Sequence, residues 1–131
     1  MKSLSETVIP VLASAVWISI SEFIRNEWLF RHYWVEHYES LGMVFPSDPV
    51  NGAVWGFWSL CLAVAIYALS GRFNLAKTTL IAWFMAFVMM WLVIGNMGVL
   101  PYELLIFAVP LSLLEVSVAA WIIVKLTNKG M

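Results

Sequence analysis

An all-α integral membrane protein is predicted, with four transmembrane helices in an antiparallel bundle and an outer interfacial amphipathic helix between the first and second. Three observations predict it. Hydrophobic residues make up 63% of the 131 residues and charged residues 11%, and mean hydropathy is +0.89, whereas ordinary soluble domains run near 45 to 50% and 25%. Four apolar stretches, each close to the roughly 20 residues needed to cross a bilayer core, occupy nearly the whole chain. The polar positions between them are rich in the residues that begin and end helices.

The spans are expected at about 7–26, 49–70, 75–96 and 100–126, in a single polytopic domain covering 1–131, with an outer segment at about 27–48. Lys2 precedes the first span and Ala13-Ser14-Ala15 imitates a cleavage site. Apolar residues nevertheless continue through Trp17, Ile18 and Ile20, so the span is read as retained. Asp48 followed by Pro49 forms an N-cap with proline at the first helical position, Asn74 caps the third span, and Pro101 with Glu103 opens the fourth. The short connections around Gly71 and Gly95-Asn96-Met97-Gly98 make spans two, three and four antiparallel neighbours.

Basic residues set the orientation. Lys2, Arg72, Lys77, Lys125 and Lys129 fall on the side shared by both termini, against Arg25 and Arg31 on the other, which places both termini in the cytoplasm of a cell-membrane protein. The opposite face collects Glu22, Glu27, Glu36, Glu39, Asp48 and Glu103 and is electronegative. The single cysteine, Cys61, excludes an internal disulfide and a cysteine metal cluster, and inside the second span it reads as a packed thiol.

Glu115 is the residue that points to function. It is the one charge in an otherwise uncharged run from 104 to 124. An acidic side chain at a helix centre costs about 2.5 to 3.5 kcal/mol on insertion scales, so it faces protein or a wet cavity. Ala108, Ser112 and Ala119 share its stripe, Ala82 and Ala86 mark a small-residue face on the third span, and Gly52, Gly56, Ser59, Ala63 and Ser70 mark one on the second. All are expected to contact helices within the bundle. Pro110 removes one backbone donor near the acid and leaves carbonyls free.

The first span carries the other polar arc, formed by Ser14, Ser19, Ser21, Glu22, Arg25 and Asn26. With Asn96 and Glu103 at similar depth, Glu22, Arg25 and Asn26 either line an outer vestibule leading toward Glu115 and Ser112, or Arg25 snorkels to the interface and the other polar groups mark the end of the hydrocarbon. Arg25 sits about ten residues from the centre of its span, at about 1.5 Å per residue, so a direct pair with Glu115 is not expected.

The outer segment is aromatic and amphipathic. His32, Glu36, Glu39 and Ser40 fall on one arc, and Phe30, Tyr33, Trp34, Tyr38 and Leu41 on the other, as in a helix lying on a membrane. His32, Glu36 and Glu39 offer a helical spacing for metal but match no fixed motif, so no metal site is assigned. His37 projects into the aromatic arc as a packed, hydrogen-bonded ring.

A transporter, permeation pathway or small-ligand-binding bundle using the intramembrane carboxylate accounts best for these features. The alternatives are an accessory or assembly subunit and, with less support, a membrane-embedded enzyme, for which there is no catalytic residue constellation, diiron motif or phosphate loop. The partners expected are the lipid bilayer, a second copy of the chain, and a small cation or hydrophobic ligand. No cofactor motif and no nucleic-acid-binding pattern is present.

Overall fold

The computed structural model describes residues 3–127, all-helical with no strand among them. We number its five helices α1 (Leu4–Leu29), α2 (Arg31–Ser40), α3 (Pro49–Ser70), α4 (Leu75–Asn96) and α5 (Tyr102–Thr127). Four of them, all but α2, are long and apolar enough to cross a membrane. Lys2 and Lys129, two of the residues behind the expected orientation, lie outside the described residues.

Local chemistry accounts for the helix ends. Ser3 accepts a hydrogen bond from the Glu6 N–H at 3.3 Å, and Asn74 accepts one from the Lys77 N–H at 2.9 Å, the expected N-cap bonds for orphan donors. Asn51 accepts from the Asp48 N–H at 3.0 Å at the start of α3, where Pro49 occupies the first turn. Gly98 turns the chain between α4 and α5 with φ +79°, a conformation that disfavours a side chain.

The first helix is longer than its sequence pattern indicated. It continues to Leu29 through a π-helical turn, Ile24–Leu29, and breaks at Phe30. Glu27, Trp28 and Leu29 therefore belong to α1 and not to the outer segment, and only Arg31–Ser40 forms the separate amphipathic helix. A second π-helical turn, Phe84–Val88, interrupts α4.

Packing joins α1 to α3 and α5, and α5 also to α3 and α4. The direction of α1 against α5 follows from register: Ser14 bonds to the Ala119 carbonyl, Trp17 to the Glu115 carbonyl, and Phe30 stacks on Phe107. As one number rises the other falls, so this pair is antiparallel. The buried core draws on Val11, Ala15, Ile18, Ala63, Ile66, Ala82, Phe87, Val116, Ala119 and Ile123.

Two expectations about α3 are corrected. Ser59, Ala63 and Ser70 are buried, but Gly52 and Gly56 have nothing within 4 Å of where a Cβ would stand. The small-residue seam thus begins at Ser59, the first buried residue of α3. Cys61 is exposed rather than packed. It lies on the side of α3 opposite that seam.

The amphipathic reading of α2 matches its exposure. His32, Glu36, Glu39 and Ser40 are exposed, and Tyr33, Trp34 and Tyr38 are half-buried. The aromatic arc meets protein: Phe30 stacks on Phe107 at 5.1 Å, and Trp34 and Tyr38 flank Phe45 at 6.0 and 5.3 Å. His37 Nε2 lies 2.7 Å from the Gly98 carbonyl oxygen, tying α2 to the α4–α5 turn.

Candidate functional site

Glu115 is fully buried, and Arg25 reaches it. Arg25 Nη1 lies 3.4 Å from Glu115 Oε1, with side-chain exposures of 7% and 0%. This overturns the expectation that the two stand too far apart. Side chains on a helix lean toward its N-terminus, and α1 and α5 run in opposite directions. Arg25 and Glu115 therefore lean toward each other, and a separation large between Cα positions closes at the side-chain tips.

Arg25 has a second acid. Its Nη2 donates to Glu22 Oε1 at 2.6 Å, one turn back on α1. Asn26 Nδ2 donates to the other oxygen of Glu22 at 2.8 Å and is oriented in turn by Trp34, whose Nε1 donates to Asn26 Oδ1 at 3.1 Å. A polar chain thus runs from α2 through Trp34, Asn26, Glu22 and Arg25 to Glu115. The guanidinium also faces the Phe87 ring, with Cζ 5.4 Å from its centroid. Such a contact contributes about 2 kcal/mol when desolvated.

Both π-helical turns supply residues here, Arg25 and Asn26 from one and Phe87 from the other. π-Turns recur at functional sites because they reset the facing of a helix against its neighbours. Here they aim an arginine and an aromatic ring at the same buried point.

The carboxyl of Glu115 is not saturated. Among the described residues neither of its oxygens has a hydrogen-bond partner, nor has Arg25 Nη1, because the 3.4 Å approach lacks the geometry of a bond. Ser21 and Glu22 adjoin the same carboxyl. The Glu115 backbone carbonyl, in contrast, accepts from Trp17 Nε1 at 2.9 Å. Buried polar atoms without partners are uncommon, and each calls for a physical cause.

Ser112 is buried one turn before Glu115 but serves another bond. It accepts from Trp83 Nε1 at 2.8 Å and donates to the Val109 carbonyl at 3.1 Å. Asn96 and Glu103 are exposed, away from the buried cluster. Of the residues singled out from sequence, then, Glu22, Arg25, Asn26 and Glu115 come together, Ser112 stands beside them, and Asn96 and Glu103 stay at the surface. Trp17, Ser21, Trp34 and Phe87 were not singled out as site residues. Ser21 shared the polar arc, but nothing local marks the other three.

A groove of about 180 Å³ opens between α1 and α5 against this cluster, lined by Ile20, Ile24, Leu29, Leu111 and Leu114, with Trp17, Ser21, Arg25 and Glu115 completing it. A larger recess of about 460 Å³ lies beneath α2, between Arg31 and the 43–48 segment. Arg31 pairs there with Glu27 and donates to Ser47 Oγ at 2.8 Å. Among the described residues no three His, Cys, Asp or Glu side chains are grouped to hold a metal ion, and His32, Glu36 and Glu39 point outward on α2.

No family model matches this chain, and no curated protein or solved structure matches it.

Proposed function

We propose that this chain is an integral membrane protein of four spans in an antiparallel bundle, both termini cytoplasmic, that binds or transports a small cationic ligand at the Glu22–Arg25–Glu115 cluster. Support for the membrane comes from an inside-out distribution. No more than 39% of any apolar helical window is buried, and Leu12, Val16, Phe57, Leu92 and Ile106 among many others face outward, while Glu22, Arg25 and Glu115 are inside. An apolar exterior on this scale suits lipid and not water.

The observation that carries the ligand reading is the pair of buried, unbonded oxygens on Glu115. Two carboxylates share one guanidinium, so the cluster holds one acid more than base. A proton or a cation balances it. Purely structural ion clusters in an apolar interior satisfy their lone pairs, because an unpaired group there costs several kcal/mol. A buried carboxyl that has Ser21, Glu22 and Arg25 beside it but no well-formed hydrogen bond, next to a groove, is arranged to receive a donor.

The test is thermal unfolding of the purified protein in nanodiscs with methylammonium chloride. The parent and Glu103→Gln, which alters an exposed acid, gain stability, whereas Glu115→Gln does not. Equal shifts in all three, or none in the parent, overturn the reading.

A second reading, a subunit of a larger membrane assembly, is favoured by the uncovered Gly52 and Gly56 on α3, since paired small residues let another helix approach closely. Its measure is the composition of the complex extracted in mild detergent, in which a second, different chain is expected only on this reading.

A further inference from the structure

The groove between α1 and α5 adds a shape to the charge. Its walls are Ile20, Ile24, Leu29, Leu111 and Leu114, and its polar groups are Ser21, Arg25 and Glu115. Ile20, Ile24, Leu29 and Leu114 are also exposed on the outer surface of the two helices. The opening is therefore lateral, on the helix sides, and not at a helix end.

Resting on the ligand reading above, we propose that this groove is a lateral binding site for a small hydrophobic amine, an ammonium group carried on a ring or short alkyl body. Charge complementarity selects the head. Arg25 has committed Nη2 to Glu22 at 2.6 Å and aims Nη1 at Glu115, while neither oxygen of Glu115 has a well-formed hydrogen bond, although Ser21 and Glu22 adjoin it. A carboxylate offers about four acceptor positions, and an ammonium has three donors to place on them. An anionic head would meet Glu115 and Glu22 together and be repelled. A neutral hydrocarbon would leave the Glu115 oxygens as they are.

Volume selects the body. Dry apolar cavities of about 150 Å³ accept a benzene ring, and this groove, at about 180 Å³, takes a body of that size and little more. Trp17 closes one side and is held by its bond to the Glu115 carbonyl, so the ring of the ligand and the acid that binds its head are positioned by the same residue. The open side faces the surface where the apolar residues of α1 and α5 lie, which lets such a ligand arrive through the lipid.

The probe is 4-fluorobenzylamine, followed by ¹⁹F NMR on the full chain in nanodiscs, with methylammonium and 4-fluorotoluene as partial ligands. The amine binds saturably, about tenfold more tightly than methylammonium for its buried ring, and 4-fluorotoluene shows no saturable binding. Glu115→Gln abolishes amine binding. Leu111→Trp, which fills the groove, weakens the benzylamine at least about tenfold, given that a fully buried large side chain displaces a ligand ring of similar area.

Photolabelling with 4-azidobenzylamine requires no variant and maps to Ile20, Ile24, Leu111 or Leu114. If methylammonium binds but benzylamine is no tighter, or Leu111→Trp changes nothing, or the label maps to other helices, the groove is overturned and the cation reading survives. Equal binding of 4-fluorotoluene overturns the choice of an amine. Failure of both amines in the parent overturns the cation reading and the groove with it.

Discussion

Arg25 on α1 and Glu115 on α5 approach to 3.4 Å without forming a hydrogen bond, while the same guanidinium is bonded to Glu22 at 2.6 Å. The arginine is thus shared unequally. Glu22 is satisfied by Arg25 and Asn26 together, and Glu115 lies against Arg25, Ser21 and Glu22 without a well-formed hydrogen bond. That asymmetry leaves one acid of the cluster available.

Removing the shared cation strands both acids. Arg25→Gln costs about 3 to 5 kcal/mol in unfolding free energy, as for a broken buried pair. The triple variant Glu22→Gln, Arg25→Gln, Glu115→Gln costs less than Arg25→Gln alone, because no uncompensated charge remains. Denaturation in mild detergent measures both, and a triple variant less stable than the single one refutes the shared-cation account.

Along α3, overpacking separates the buried seam from the open half. Ala63 is fully buried and Gly56 has nothing near its missing Cβ. Ala63→Leu therefore destabilises by about 1 to 3 kcal/mol, the usual cost of extra volume in a filled core, and Gly56→Leu leaves monomer stability unchanged. If Gly56→Leu dissociates an oligomer without unfolding it, the covering of this face by another chain is established.

Ser112→Ala leaves the Trp83 indole N–H without its acceptor at 2.8 Å. A loss of about 1 to 3 kcal/mol follows when a buried donor is orphaned. Trp83→Phe in addition costs less than the sum of the two changes, since both remove one interaction. Strict additivity in thermal unfolding excludes the bond.

The orientation is checked by labelling on a Cys61→Ala background, which removes the exposed native thiol. Ser40→Cys, on the exposed arc of α2, reacts with a membrane-impermeant maleimide in intact cells, and Ser3→Cys reacts only after permeabilisation. The reverse pattern overturns the cytoplasmic placement of the termini.

Much of this molecule was legible locally. The four long helices, the capping residues Asp48 and Asn74, the Gly98 turn and the division of α2 into an exposed His32–Glu36–Glu39 arc and an aromatic arc each depend on residues within a turn or two of one another. The buried stripe of Ala108, Ser112, Glu115 and Ala119 was legible for the same reason, as helical periodicity places all four on one face.

Other features were decided only when the helices met. The Arg25–Glu115 approach depends on two side chains leaning toward each other from antiparallel helices, and on a π-turn that re-aims Arg25. The Phe87 contact depends on a second such turn. Trp34 reaches Asn26 because α2 folds back after Phe30, and Gly52 and Gly56 remain uncovered because the buried half of α3 begins at Ser59. Periodicity along a chain specifies which residues share a helical face. Which face meets which neighbour, and at what depth, is set by the packing of all the helices together, and for this protein that packing decides the composition of the site.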